Sequence, residues 1–269
     1  MIEASSLRLS ELVGIAYLVY LAAIALVVRL PLVRRVGVWL AAAAVIVANL
    51  AVARPGAPWI VVALRDWLPG VVILIGYYAT GAFYVAPSPR VEAWLKSWDD
   101  RLIGRATFDS VSPGLRVYLE LVYDFCFALI PAGFAVLMWF GGSADRFWTI
   151  VLIAEFIPFG TLPWLQARPP WVIEGRRATD TMAMRRFSLL WVKRTTIHAN
   201  TFPSGHASGS LAVALALAQT APVAAIVFAV LAVSIAVASV VGRFHYALDA
   251  ITGLLLAVCV WGAAVLLGL

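Results

Sequence analysis

The stretch APVAAIVFAVLAVSIAVASVV, residues 221–241, runs for 21 residues without a charge. A helix needs roughly 17–25 predominantly apolar residues to cross the hydrocarbon core of a bilayer, so the segment reads as a transmembrane span. Working outward, residues 246–268 and 204–219 show the same pattern. Toward the N-terminus further runs, bounded by charge, Pro or Gly, lie near 12–28, 36–53, 68–86, 116–139 and 147–165. The chain is therefore expected to be all-α, a multi-pass transmembrane helical bundle of about eight spans. Its 269 residues are 63% hydrophobic and 13% charged, with a mean hydropathy of +0.95, which excludes an ordinary soluble enzyme.

Two segments are polar enough to lie outside the spans. Residues 89–103 open with Pro89 and carry Val91, Trp94, Leu95, Trp98 and Leu102 at helical spacing, which predicts an amphipathic helix lying in the interface. The connection from Gln166 to Phe202 is long for a compact bundle, which usually signals function. It is rich in arginine and includes an apolar stretch, Phe187 to Val192, that suits the interface. The first apolar run lacks a basic segment before it, so it is expected to remain in the mature protein. Cys126 and Cys259 sit in separate apolar runs and suggest neither a disulfide framework nor a metal site. The net charge of +6 reads as basic loops beside anionic lipid or an anionic substrate, with no nucleic-acid partner expected. With eight spans, sixteen of the 20 Lys and Arg residues fall on one side, and the positive-inside rule assigns that side to the cytoplasm.

All three histidines fall on that charged side. His206 closes Pro203-Ser204-Gly205-His206 at the mouth of one span, and His245 opens His245-Tyr246-Ala247-Leu248-Asp249 at the mouth of another. A His and an Asp at i, i+4 share a helix face, where the carboxylate can hold one imidazole nitrogen and leave the other free as base or nucleophile. Ser204 and Gly205 begin a helix, whose free N–H groups and dipole favour an anion. Arg168 and Arg243 offer planar forks for phosphate oxygens. The set suits phosphoryl transfer, with one histidine attacking phosphorus and the other protonating the leaving oxygen. The alternative is packing, since Gly205 and Gly209 also form a small-xxx-small pair.

Arg168-Pro169, Pro203-Ser204-Gly205-His206 and His245-xxx-Asp249, in this order and at these span ends, resemble the three-part signature of the type 2 phosphatidic acid phosphatase superfamily, the lipid phosphate phosphatases. The resemblance covers residues 68–268. It implies a six-helix catalytic core over residues 68–269, preceded by an extra transmembrane hairpin in residues 1–67. It also implies His245 as nucleophile, Asp249 as its orienting carboxylate and His206 as the acid for the leaving group. Arg168, Ser204 and Gly205 would then hold phosphate, with no metal and no cofactor. Two positions depart from the pattern: Thr161 stands where the family has a Lys, and Ser239 where it has an Arg. Arg243 is the substitute cation we expect. The text around Leu165 to Trp171, with His245-Tyr246, is similar to the branch of aureobasidin-resistance type inositol phosphorylceramide synthases, which transfer the group to an alcohol.

Three functions are thus distinguished. The leading expectation is an integral membrane phosphatase acting on a lipid phosphomonoester, with membrane lipids around it. The second is a phosphotransferase moving a phospho-headgroup to a lipid alcohol, and the third an anion-binding transporter or scaffold. The family resemblance implies a site on the periplasmic or lumenal face of what is read as a bacterial cytoplasmic membrane, opposite to the charge rule. Asp124 and Glu155 lie inside spans and admit either a structural role or a headgroup or proton role. His198 and Asn200 read as loop or supporting groups, and the doubled arginines at 176 and 185 as charge facing lipid.

Overall fold

The computed structural model describes residues 7–104, 111–174 and 183–269. Among them it contains helices and no strands. The long elements are α1 (Leu9–Val27), α2 (Leu32–Val52), α3 (Trp59–Gly81), α7 (Ala144–Thr161), α11 (Pro222–Val241) and α12 (Ala247–Leu266). The shorter ones are α4 (Pro89–Leu102), α5 (Pro113–Asp124), α6 (Cys126–Trp139), α8 (Pro170–Glu174), α9 (Ala183–Thr195) and α10 (Gly205–Leu217). Local chemistry sets many of the starts. Ser112, Ser143 and Ser204 accept backbone N–H groups of the helices they cap, and Pro opens α4, α5 and α11, where its missing N–H costs nothing.

Each of the eight apolar runs is helical, but not all are straight spans. Five helices, α1, α2, α3, α11 and α12, are long and apolar enough to cross a membrane. α7 carries Asp145, Arg146 and Glu155, and α10 has only 13 residues. The run at 116–139 is broken into α5 and α6, bent by 61°. α5 leaves the line of α6 because it is tied sideways to α9: Arg185 bonds Glu120 at 2.9 Å and Ser188 bonds Asp124 at 2.8 Å. α3 begins at Trp59, earlier than hydropathy suggests, because Arg65 and Asp66 are paired with Glu11 and Arg8. It runs unbroken through residues 67 and 68, where the sequence reading divides the chain.

α10 is the central strut, packed against α6, α7, α11 and α12. Lipid tails are as apolar as leucine, so helices in a membrane associate through close packing of small residues more than through the hydrophobic effect. The buried residues of α10 are accordingly mostly small, among them Gly205, Ala207, Ser208, Gly209, Ala212 and Ala216, with Val213 and Leu217. α12 presents Gly253, where an added Cβ would lie 2.6 Å from the Ser204 carbonyl oxygen. That approach brings the starts of α10 and α12, and with them the two histidine motifs, to one place.

Candidate active site

His206 stands in the first turn of α10, and His245 lies two residues before α12. Their ring centroids are 5.6 Å apart. Behind His245 is Asp249, whose Oδ2 lies 3.5 Å from Nδ1, long for a hydrogen bond, as catalytic contacts without substrate often are. The same Oδ2 accepts the Tyr246 backbone N–H at 3.0 Å and the Asn200 side-chain amide at 2.9 Å. Asn200 also donates its backbone N–H to the Ala167 carbonyl at 2.8 Å, which ties the Arg168-Pro169 motif to the carboxylate. The Asp249 carbonyl accepts the Ser204 N–H at 2.9 Å, linking the second motif to the third.

The site is therefore one connected assembly. Four of its buried atoms, His206 Nε2, His245 Nδ1, Asp249 Oδ1 and Asn200 Oδ1, have no hydrogen-bond partner among the described residues. Buried polar atoms are nearly always paired, and unpaired ones concentrate where chemistry is done. The helix starts at Gly205 and Ala247 add positive dipole ends, so the assembly favours an anion.

The two arginines are held by α4. Glu92 receives Arg168 bidentately, from Nε and one terminal nitrogen at 2.8 Å each, and takes the Arg168 backbone N–H at 2.9 Å. This pairing holds the Glu92 carboxyl below its ordinary value and raises Arg168. Asp99 bonds Arg243 at 2.6 Å, and Glu174 bonds the same guanidinium. Arg243 adopts a positive φ of 59°, a conformation side chains other than glycine rarely take. The Arg243 fork thus faces two carboxylates in this structure. Leu95, between the two acids, is fully buried against Ala167 and Tyr246.

α4 is an amphipathic helix, as its sequence pattern predicts; Glu92, Leu95 and Asp99 are buried against the site, while Trp94 and Leu102 are exposed. The reading of Arg185 is corrected: it is buried against Glu120, donates to the Gly242 carbonyl at 2.9 Å and lies 4.7 Å over the Phe244 ring. Arg186 is exposed, and Arg176 and Arg177 lie outside the described residues. From Arg185 a stack continues through Phe244 to Tyr123 at 4.0 Å and on to His206 at 5.5 Å. The two departures from the family pattern have structural uses. Thr161 donates to the Phe202 carbonyl at 2.6 Å, and the buried Ser239 hydroxyl donates to the Ala236 carbonyl at 2.8 Å.

Below the histidines a cavity of about 320 Å³ opens among α3, α6, α7 and α10, with His206 and Glu155 in its lining beside Trp67, Leu74, Phe127 and Ile130. Among the described residues no group of three or more His, Cys, Asp or Glu side chains is placed to hold a metal ion.

Spans around a paired-histidine site with anion-favouring helix starts define a multi-pass membrane protein of the phosphoryl-transfer type. A sequence model of the PAP2 superfamily matches residues 90–263, and the chain belongs to that superfamily, the type 2 phosphatidic acid phosphatases. No curated protein and no solved structure matches it. The match begins at α4, so the helix bearing Glu92 and Asp99 belongs to the family region.

Proposed function

We propose that the protein hydrolyses a lipid phosphomonoester through a phosphohistidine. The His245 Nε2 attacks phosphorus, the bond from phosphorus to the lipid oxygen breaks, and His206 gives that oxygen its proton. Water then attacks the phosphohistidine, returns a proton to His206 and frees inorganic phosphate. Asp249, held by Asn200 and the Tyr246 N–H, keeps the His245 tautomer that leaves Nε2 unprotonated. Arg168, Ser204 and Gly205 hold the phosphate oxygens, and Arg243 adds a cation when Asp99 and Glu174 share it.

The observation that carries this reading is the 5.6 Å separation of the two rings, with a carboxylate behind one and an apolar cavity beside the other. Transfer to a lipid alcohol is the second reading, favoured by the apolar character of the cavity reaching His206, which admits an acceptor chain more readily than bulk water. The site opens on the periplasmic or lumenal face. Purified protein incubated with lipid phosphates should release inorganic phosphate, with EDTA present or absent. Formation of a new phospholipid on adding an alcohol, without phosphate release, would replace hydrolysis by transfer. Loss of activity in EDTA, restored by one divalent metal, would overturn the mechanism.

A further inference from the structure

Among the described residues, Glu155 is the one acidic side chain lining the cavity beside His206. It is 5% exposed, and among the described residues no hydrogen bond or ion pair reaches its carboxyl. An added Cβ at Gly209 would lie 1.7 Å from Glu155 Oε1, and one at Gly205 would lie 3.0 Å from Oε2. The carboxyl therefore lies flat along the first turn of α10, the turn that also bears His206, in space that only glycine leaves open. A buried acid without a partner is costly in either protonation state, and in a largely apolar pocket a few convergent polar groups usually fix a ligand's orientation.

We propose that this cavity seats the hydrocarbon part of the substrate, and that Glu155 selects a chain bearing a hydrogen-bond donor, a hydroxyl or amide N–H, near the phosphate ester. The inference rests on the hydrolytic function proposed above. His206 protonates the ester oxygen, so the carbon chain leaves that oxygen into the cavity His206 lines. Glu155 meets the chain close to the ester, since its carboxyl lies against Gly205, the residue beside His206. A plain alkyl or prenyl phosphate fills the same space and leaves the carboxyl unpaired. The substrate class is thus a lipid phosphate with a polar group near its head.

Three phosphomonoesters of equal chain length test this in detergent micelles: a plain alkyl phosphate, its 3-hydroxy analogue and its 3-acylamino analogue. The wild type should favour at least one donor-bearing ester in kcat/KM by about tenfold or more, the scale of one hydrogen bond to a buried partner. In Glu155→Leu the ratio should fall close to one, and Glu155→Gln, which keeps an acceptor carbonyl, should retain part of it. Equal kcat/KM for all three esters in the wild type, or an unchanged ratio in Glu155→Leu, would overturn this inference and leave hydrolysis standing. If Glu155→Leu does not fold, the wild-type ratio and Glu155→Gln still decide. No phosphate release from any ester, and no transfer to an added alcohol, would overturn the proposed function and this inference together.

Discussion

Asp99 Oδ2 bonds the Arg243 guanidinium at 2.6 Å while its Oδ1 accepts the Ala247 N–H at 2.7 Å, so one α4 carboxylate joins the cation beside His245 to the first turn of α12. Both oxygens act on the segment that carries the nucleophile. Removing one member of a buried ion pair leaves the other charge uncompensated, typically at about 3–5 kcal/mol.

Arg243→Ala and Asp99→Ala should each lower kcat/KM by about one to two orders of magnitude and reduce thermal stability. The double variant should lose much less than the sum, since the two act as a unit. Additive losses in the kinetic cycle would show that Arg243 binds phosphate independently of α4. Arg243→Lys should recover only part, because the planar fork is lost.

Asn200→Ala should lower kcat about ten- to hundredfold with little change in KM. The amide donates to the Asp249 carboxylate, not to substrate, and hydrogen bonds to charged groups contribute about 1.5–3 kcal/mol. A raised KM with unchanged kcat would move Asn200 from positioning to substrate binding.

The Glu92–Arg168 pair predicts a pH dependence of stability. The folded state holds the Glu92 carboxyl below its ordinary value, chiefly through the Arg168 hydrogen bonds. Its contribution is therefore complete above the unfolded carboxylate value and is lost as pH falls through the lower folded value. The difference in melting temperature between wild type and Glu92→Gln should be constant from neutral pH down to about 5 and shrink at more acid pH. A difference that grows on acidification contradicts the pairing.

Much of this was legible in the chain. Long uncharged runs announce the spans, and Pro203-Ser204-Gly205-His206 with His245 and Asp249 mark the chemistry because both motifs sit at helix starts. The partners of those residues were not legible. Glu92 and Asp99 meet arginines 76 and 144 residues away, so on α4 they read only as the polar side of an interfacial helix. The break at Phe125 is invisible to hydropathy, which continues across it, since its cause is the tie from Glu120 and Asp124 to α9. Asn200 offered only its position before the second motif; its bond to Asp249 exists only once α10 and α12 pack together.

Sidedness is open to direct labelling, for which Asn200 is unsuitable because it is buried. Arg194 is exposed in the last turn of α9, in the connection that carries Arg168 and Asn200, and Cys126 is buried. In a Cys259→Ser background, Arg194→Cys should react with an impermeant thiol reagent in intact cells if the site is periplasmic. Reaction only after permeabilisation assigns the site to the cytoplasm, as the charge rule has it.

The central claim is a covalent bond between His245 and phosphorus, and rapid quenching with a lipid phosphate labelled at phosphorus tests it most directly. The wild type should show an acid-labile, alkali-stable label on His245, and His245→Ala should show neither label nor turnover. His206→Ala should still form the label from an ester with a good leaving group. A His245→Ala protein that turns over at the wild-type rate, or a label on another residue, would contradict the account.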